Sequence, residues 1–278
     1  VAEPRARRAP RRSVSAPASA CAPPEREIVL GDCTAVMRSW RDASVDACIT
    51  DPPYNMSRRR GLAWAFSSHV TMEQNWDRFP SDEYVKFTRD WLAEVCRVVR
   101  PNGNLLVFGS FHNIYVIGFV LEHLLDRRIL QQITWFKPNA QPNITGRLPT
   151  ESTEYIIWAC NNTPRRATGW TFDYAASKVM NGGKQLRNLW QIPCTPRSER
   201  AGGSHPTQKP VELLERIVTL WTRPDDLILD CFAGTGTTAV AAARLGRRWI
   251  GIEKDAEYTA LARKRAAEAT PSASAARG

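Results

Sequence analysis

Nowhere in the 278 residues do apolar side chains run on for the roughly 20 positions needed to cross a bilayer, so no membrane-spanning helix is expected. Histidine is scarce: the four, His69, His112, His123 and His205, include no H-E-x-x-H or comparable pair, and no metal site is expected. The seven cysteines, at 21, 33, 48, 96, 160, 194 and 231, are odd in number and never spaced C-x-x-C, which argues against a disulfide framework and against a zinc ribbon. A reducing compartment fits that pattern. Arg5, Arg7, Arg8, Arg11 and Arg12 have no apolar run behind them and so make no secretory signal; a cytoplasmic, nucleoid-associated location is expected. What the chain has in excess is positive charge. A formal net charge of +10 favours a polyanionic partner, because each neutralised phosphate releases a condensed counterion.

Composition divides the chain. Residues 1–26 are rich in Ala, Arg, Pro and Ser without periodicity, and residues 269–278 read the same way; both are expected to be disordered, the first as a basic arm. Between them short apolar runs alternate with amphipathic segments, the pattern of an α/β, Rossmann-like, doubly wound and mostly parallel sheet. Strands are expected at 28–30, 45–50, 105–108, 133–136, 155–159, 227–229 and 248–252. Helices are expected from 33 through Trp40, at 82–99, at 114–125, onward from Pro210, and at 237–245, with Pro101-Asn102-Gly103 as a turn. Residues 161–206 carry little periodicity and read as a small substrate-facing subdomain or a set of long loops.

Two constellations carry chemistry. In DCFAGTGTTA, Asp230 to Ala239, the residues Gly234, Gly236 and Ala239 have the G-x-G-x-x-G/A spacing of a strand-turn-helix nucleotide site, where glycine lets a ligand approach the backbone. Glu253, 17 residues beyond Gly236 at the end of the next strand, can accept two hydrogen bonds from a ribose diol. This pair implies an adenosine-bearing cofactor, either NAD or S-adenosylmethionine. The second constellation, Asp51-Pro52-Pro53-Tyr54, stands at the carboxyl end of a strand and separates the two. An exocyclic amino group is a poor nucleophile because its lone pair is delocalised into the ring. Asp51 can accept one of its hydrogens and the stiffly held Pro52 carbonyl the other, which favours a tetrahedral nitrogen, while Tyr54 offers a face on which an extruded base can stack. Holding such an amine in line with the methyl of a sulfonium requires no metal and no covalent intermediate. The glycine turn lies about 180 residues after Asp51, so the sheet closes only if the last strand lies beside the strand at 28–30, as in a circular permutation. Asp32 then reaches the cofactor pocket.

At these residues the chain resembles the beta class of amino-group DNA methyltransferases, in which DPPY precedes FAGTG. It is most similar to the cell-cycle-regulated adenine methyltransferases and their restriction-modification relatives. The likeness runs from about residue 27 to 258 and includes DPPYN at 51–55, FAGTG at 232–236, GDC at 31–33, WDRF at 76–79, PNG at 101–103, HNI at 112–114 and HPTQKP at 205–210. The resemblance implies that Phe232, Ala233, Gly234 and Gly236 line the methionine part of S-adenosylmethionine. Glu253 then meets its ribose, Asp32 its adenine amino group, and Lys209 and Thr237 its carboxylate, with Asp230 and Asp51 at the same pocket. Asp51, Pro52, Pro53 and Tyr54 are catalytic on this reading. It divides the chain into a catalytic half at 27–136, a target-recognition region at 137–204 and a cofactor-binding half at 205–268. The cell-cycle relatives carry a further C-terminal extension that engages DNA, whereas this chain ends 20 residues past Tyr258, so their recognition sequence is not carried over.

Double-stranded DNA is the expected partner. Arg58, Arg59 and Arg60 in one loop, and Lys137, Arg147, Arg187 and Arg197 in the 137–204 region, are the expected contacts, to phosphates or to guanine edges. A homodimer and a cognate restriction endonuclease are further expected partners. Aspartate at position 51 leans toward adenine N6, with cytosine N4 the alternative on the same scaffold. Three rivals remain: an RNA base methyltransferase, an NAD-dependent dehydrogenase, which leaves DPPY and HPTQKP unexplained, and a silent DNA-binding module, which rests on charge alone. Pro193-Cys194 resembles the nucleophilic turn of cytosine-C5 enzymes, but an amine substrate needs no covalent attack and Cys194 reads as a small apolar residue.

Overall fold

Period-two burial organises the centre of the chain. Leu106 and Phe108 face one apolar cluster while Leu105 and Val107 face another, so the strand that carries them is covered on both sides. The computed structural model describes residues 20–55, 79–143, 146–200 and 207–269. Among them eight strands form one sheet: β1 (Glu27–Leu30), β2 (Val45–Thr50), β3 (Val99–Gly109), β4 (Arg128–Phe136), β5 (Thr153–Cys160), β6 (Leu189–Gln191), β7 (Leu227–Asp230) and β8 (Arg248–Glu253). Their order is β1-β8-β7-β2-β3-β5-β4-β6, and only the pairings of β5 with β3 and β4 are antiparallel. Helices α1 (Cys33–Arg38), α2 (Ser81–Val98) and α3 (Ile114–Phe119) cover one face. Helices α4 (Tyr174–Met180), α5 (Val211–Trp221), α6 (Thr237–Arg244) and α7 (Ala256–Ala267) cover the other. The sheet is therefore doubly wound and mostly parallel, as expected.

The permuted closure is present. Strand β1 lies parallel to β8 with Leu30 opposite Glu253, which brings the start of the described chain to the edge of the last βαβ unit. The decisive consequence lies at the centre. From β7 the chain crosses through α6 to β8 on one side, and from β2 through α2 to β3 on the other, so the adjacent strands β7 and β2 diverge. Their helices sit on opposite faces, and a crevice opens beyond the carboxyl ends of β7 and β2, the switch point where such sheets bind ligands.

Several elements differ from expectation. The Pro101-Asn102-Gly103 turn does not end a strand but lies inside β3 as an irregularity. Val45 pairs with Val99 while Ala47 pairs with Asn104, and Asn102 takes a φ of 63° to absorb the extra residues. The helix expected over 114–125 is α-helical only to Phe119 and continues as a π-helix, Val120–Leu124, with Leu125 N–H donating to the Val120 carbonyl at 2.9 Å. The expected arm at 1–26 gives up its last residues to the fold. Cys21 N–H donates to the Ser39 carbonyl and Arg26 N–H to the Trp249 carbonyl, at 2.9 and 2.6 Å, and Glu25 pairs with Arg248 at 2.6 Å. Residues 161–200 are likewise tied to the main domain: β6 extends the sheet beside β4, and Phe172 and Trp190 pack around Trp221 at ring distances of 5.5 and 5.8 Å.

Helix α7 follows β8 and was not read from the sequence, because its buried face is Thr259, Ala262 and Ala266 rather than large apolar residues. Asp255 caps it, accepting from the N–H groups of Glu257 and Tyr258 at 2.8 and 3.0 Å. Its small face receives the glycine turn. Gly236 has a φ of 77°, and a Cβ there would stand 2.9 Å from the Ala262 Cβ and 3.1 Å from its Cα. Gly236→Ala is therefore expected to destabilise the protein by about 1–3 kcal/mol through strain and overpacking. Thermal unfolding checks it; an unchanged Tm would mean that α7 does not pack against the turn.

Candidate active site

Beyond the carboxyl ends of β2 and β7 lies a cleft of about 640 Å³. Thr50, the last residue of β2, donates its hydroxyl to Asp230 Oδ1 at 2.8 Å and so ties the two strand ends together at its floor. Burial pushes the Asp230 carboxyl up to about 6, with hydroxyl donors from Thr238 and Thr50 holding it from rising further. The glycine turn forms one wall. Gly234 takes a φ of 52°, and the space where a Cβ would stand is open for 4 Å. Gly234 N–H donates to Glu253 Oε2 at 2.7 Å and Asp255 N–H to Glu253 Oε1 at 2.9 Å, which fixes the carboxylate at the rim and leaves each oxygen a further lone pair. Burial raises the Glu253 carboxyl above its ordinary value, and these backbone donors work against that rise. Asp32 lines the same cleft but accepts from Ala35 N–H at 3.1 Å as the cap of α1. Phe232 closes the apolar side, edge-on to Trp91 with centroids 5.2 Å apart, and Phe79 and Phe87 stack beside it at 4.7 Å.

The DPPY turn forms the opposite wall. It is held from behind: Tyr84 on α2 donates its hydroxyl to the Pro53 carbonyl at 2.7 Å, and Asn113 donates to that hydroxyl at 3.2 Å. Asn113 also accepts from Ser110 N–H at 2.9 Å, so the HNI text has a mechanical role in fixing the turn. Asn55, the residue after Tyr54, takes a φ of 57° and accepts from Phe79 N–H at 2.8 Å.

Four ionisable side chains converge behind this turn. Lys209, 6% exposed, donates its ammonium to Asp51 Oδ2, and lies 3.3 Å from Glu154 Oε2. Glu154, at the start of β5, accepts from Lys137 at 3.0 Å and from the Tyr54 hydroxyl at 3.1 Å. The Lys209 ammonium also lies 5.2 Å from the Tyr54 ring centroid. Burial pushes the Asp51 carboxyl above its ordinary value; Lys209 pulls it back and Glu154 pushes it up again. Burial also opposes the charge on Glu154, yet Lys209 and Lys137 outweigh it and hold that carboxyl low. Lys209 is desolvated too, but Asp51 and Glu154 hold its ammonium above the usual lysine value. One atom is left over. Asp51 Oδ1 is buried without a hydrogen-bond partner; the Tyr54 hydroxyl, which donates to Glu154, is also close enough to Asp51 to favour its charged form.

The expected site residues thus come together in one cleft: Asp32, Asp51, Pro52, Pro53, Tyr54, Lys209, Asp230, Phe232, Ala233, Gly234, Thr237 and Glu253 all line it. Gly236 stands behind it against α7. Lys209, expected beside a cofactor carboxylate, has two carboxylates of the chain as its partners. Lys137, expected as a DNA contact, is turned inward onto Glu154, where a buried carboxylate flanked by Asp51 gains a second cation. Arg147, Arg187 and Arg197 are exposed, whereas Arg58, Arg59 and Arg60 lie outside the described residues, as do parts of WDRF and HPTQKP. Sequence reasoning missed Glu154, whose partner Tyr54 is 100 residues away, and Gln208, which accepts from the Thr235 hydroxyl at 3.0 Å. Nothing local in TEYII marks Glu154 as more than a strand-end acid. Cys194 is absent from the cleft lining, and among the described residues no group of three or more His, Cys, Asp or Glu could hold a metal ion. Nor is any described helix long and apolar enough to cross a membrane.

Comparison with known proteins bears on this geometry. A family described as DNA methylase matches residues 45–264. The Type II methyltransferase M2.DpnII of Streptococcus pneumoniae is 40% identical over 240 residues, covering 86% of this chain and 88% of the relative. The crystal structure of an M1.HpyAVI-SAM complex is 29% identical with a TM-score of 0.64, covering 86% of this chain and 98% of that one. The PvuII DNA methyltransferase, described as cytosine-N4-specific, shares the fold at 21% identity and a TM-score of 0.66, covering 87% of this chain and 88% of that one.

Proposed function

The chain belongs to the DNA methylase family of amino-group methyltransferases, and from that premise we propose that it methylates the N6 amino group of an adenine flipped out of double-stranded DNA, using S-adenosylmethionine. The observation that carries the reading is an acceptor held in reserve: Asp51 lines the cleft, and its buried Oδ1 has no hydrogen-bond partner. A buried polar atom left without a partner is costly, and a ligand amine satisfies it.

The residues fit the cofactor. Open space over Gly234 admits a ligand against the backbone, Glu253 would take the ribose hydroxyls, Asp32 the adenine amino group, and Phe232 and Ala233 the methionine part, with Thr237 toward its carboxylate. When bound, S-adenosylmethionine supplies an electrophilic methyl on a sulfonium. The chain's own residues do the rest. Tyr54, 7% exposed and fixed at its hydroxyl, presents a ring for the flipped base. Asp51 Oδ1 accepts one hydrogen of the exocyclic amine and the Pro52 carbonyl the other, drawing the nitrogen toward tetrahedral geometry. Ionised Asp51 is the stronger acceptor, and Lys209 supports that charge against burial. The rate of transfer therefore rises with pH through the ionisation of Asp51.

The division into a catalytic half at 27–136, a target-recognition region at 137–204 and a cofactor-binding half at 205–268 follows from the same roles. Arg147, Arg187 and Arg197, exposed in the middle region, are proposed DNA contacts. Likeness to a Type II methyltransferase supports a cognate restriction endonuclease as a partner, and a homodimer is the assembly proposed with it. The cytosine-N4 enzyme on the same fold supports the second reading, transfer to cytosine N4. Incubation with labelled cofactor and duplex DNA, followed by digestion and mass spectrometry of the nucleosides, decides between them. N6-methyladenine is expected. N4-methylcytosine would establish the second reading, and unmodified DNA would overturn both.

A further inference from the structure

Glu154 does not line the cleft, yet three groups that matter there end on it. Tyr54 donates to its Oε2 at 3.1 Å, the Lys209 ammonium lies 3.3 Å from the same oxygen, and Lys137 donates to Oε1 at 3.0 Å. Asp51 and Glu154 against Lys209 and Lys137 make a neutral set of four charges, which is the condition for keeping carboxylates ionised away from water. We propose that Glu154 is a positioning residue for methyl transfer: it anchors the Tyr54 ring and shares the Lys209 ammonium with Asp51, so that one oxygen of Asp51 stays open for the substrate amine. The proposal rests on the roles given above to Asp51 and Tyr54.

Several acceptors compete for the hydrogens of Lys209. The Lys209 ammonium has three, and its partners are Asp51 Oδ2, Glu154 Oε2 and, at 3.4 Å, the Thr207 carbonyl. While Glu154 holds one side, the ammonium meets Asp51 through Oδ2 alone and leaves Oδ1 bare. Without the negative charge of Glu154, Coulomb attraction has one centre left, and the ammonium settles onto Asp51, where it competes with the amine for both oxygens. Tyr54 at the same time exchanges a charged acceptor for a neutral one and its ring loses part of its anchor.

Glu154→Gln keeps the shape and removes the charge. The groups facing Asp51 are Lys209, Glu154, Tyr54 and, from β7, Asp230, with Lys137 reached through Glu154. Removing a like charge and concentrating the ammonium on Asp51 both favour its ionised form, so its titration moves to lower pH. The experiment is 13C-carboxyl NMR of aspartate-labelled full-length protein across pH, with the Asp51 signal assigned by its loss in Asp51→Asn. It is paired with kcat against pH on duplex DNA for the wild type, Glu154→Gln, Tyr54→Phe and the double variant. In Glu154→Gln the Asp51 titration and the acid limb of kcat are both expected at lower pH. The plateau kcat is expected to fall by roughly tenfold to a hundredfold, the scale of a small misplacement of reacting groups. Tyr54→Phe is expected to lower kcat in the wild-type background and to have a smaller effect in Glu154→Gln, because the two act on one shared contact. An Asp51 titration identical in both proteins, or additive effects of the two substitutions on kcat, would overturn the proposal. Wild-type protein that transfers no methyl to DNA would instead remove the functional reading, while the carboxyl titration still reports on Glu154.

Discussion

Asp51→Ala is expected to lower methyl transfer to duplex DNA by about a thousandfold or more, the scale seen when a preorganised group aimed at the reacting centre is removed. The affinity for S-adenosylmethionine should change no more than a few-fold. The two halves of this expectation have separate structural causes. Asp51 Oδ1 is the open acceptor at the DPPY wall, whereas Gly234 and Glu253 shape the opposite wall and share no hydrogen bond with Asp51. Nor should the substitution unfold the site, since Lys209 keeps Glu154 as a partner at 3.3 Å. Asp51→Asn is the sharper control: its carbonyl can still accept, but its amide must face the Lys209 ammonium or the amine, so activity should lie between alanine and wild type. Single-turnover transfer of a labelled methyl, beside titration calorimetry with the cofactor, checks both. Turnover retained in Asp51→Ala would remove Asp51 from catalysis.

Glu253→Ala is expected to weaken S-adenosylmethionine binding by roughly tenfold to a hundredfold, since hydrogen bonds to a charged group contribute about 1.5–3 kcal/mol. The substitution acts twice. It removes the acceptor offered to the ribose and also leaves the N–H groups of Gly234 and Asp255 without the partners that fix the glycine turn and the cap of α7. Glu253→Gln retains one carbonyl acceptor and should show a smaller loss. Calorimetry reads the affinity, and a thermal melt taken without cofactor separates binding from the loosened turn. A dissociation constant equal to the wild type would take Glu253 out of the ribose site.

Much of this was legible in the sequence because it is written in local patterns. The glycine turn followed by a helix and an acid at a strand end, and a carboxylate followed by two prolines, are short stretches whose geometry neighbouring residues enforce. The permuted closure was legible too, since the strand that follows the glycine turn, β8, needs a neighbour beyond β7, and β1 lies there. Helix α7 was hidden for the opposite reason. Its buried face of Thr259, Ala262 and Ala266 suits close approach to Gly236 but gives no apolar stripe to detect. The turn at Asn102 was read correctly as a turn and wrongly as a boundary, because a strand can absorb extra residues as a bulge when the next strand holds its register. Glu154 and the inward-facing Lys137 were out of reach. Charged residues on strands and loops read as solvated unless their partners are known, and those partners come from the turn after β2, the end of β4, the start of β5 and the segment before α5. Pairing across such sequence distances is a property of the fold, which brings four ends to one place.

The claim on which the rest depends is that Asp51 Oδ1 receives the amine of a flipped base. A crystal structure of the protein with duplex DNA and an unreactive analogue of S-adenosylmethionine tests it most directly. The account requires an adenine stacked on Tyr54, its exocyclic nitrogen within hydrogen-bonding distance of Asp51 Oδ1 and of the Pro52 carbonyl, and the analogue against Gly234. A base bound elsewhere, or Asp51 turned from the cleft with both oxygens on Lys209, would contradict it.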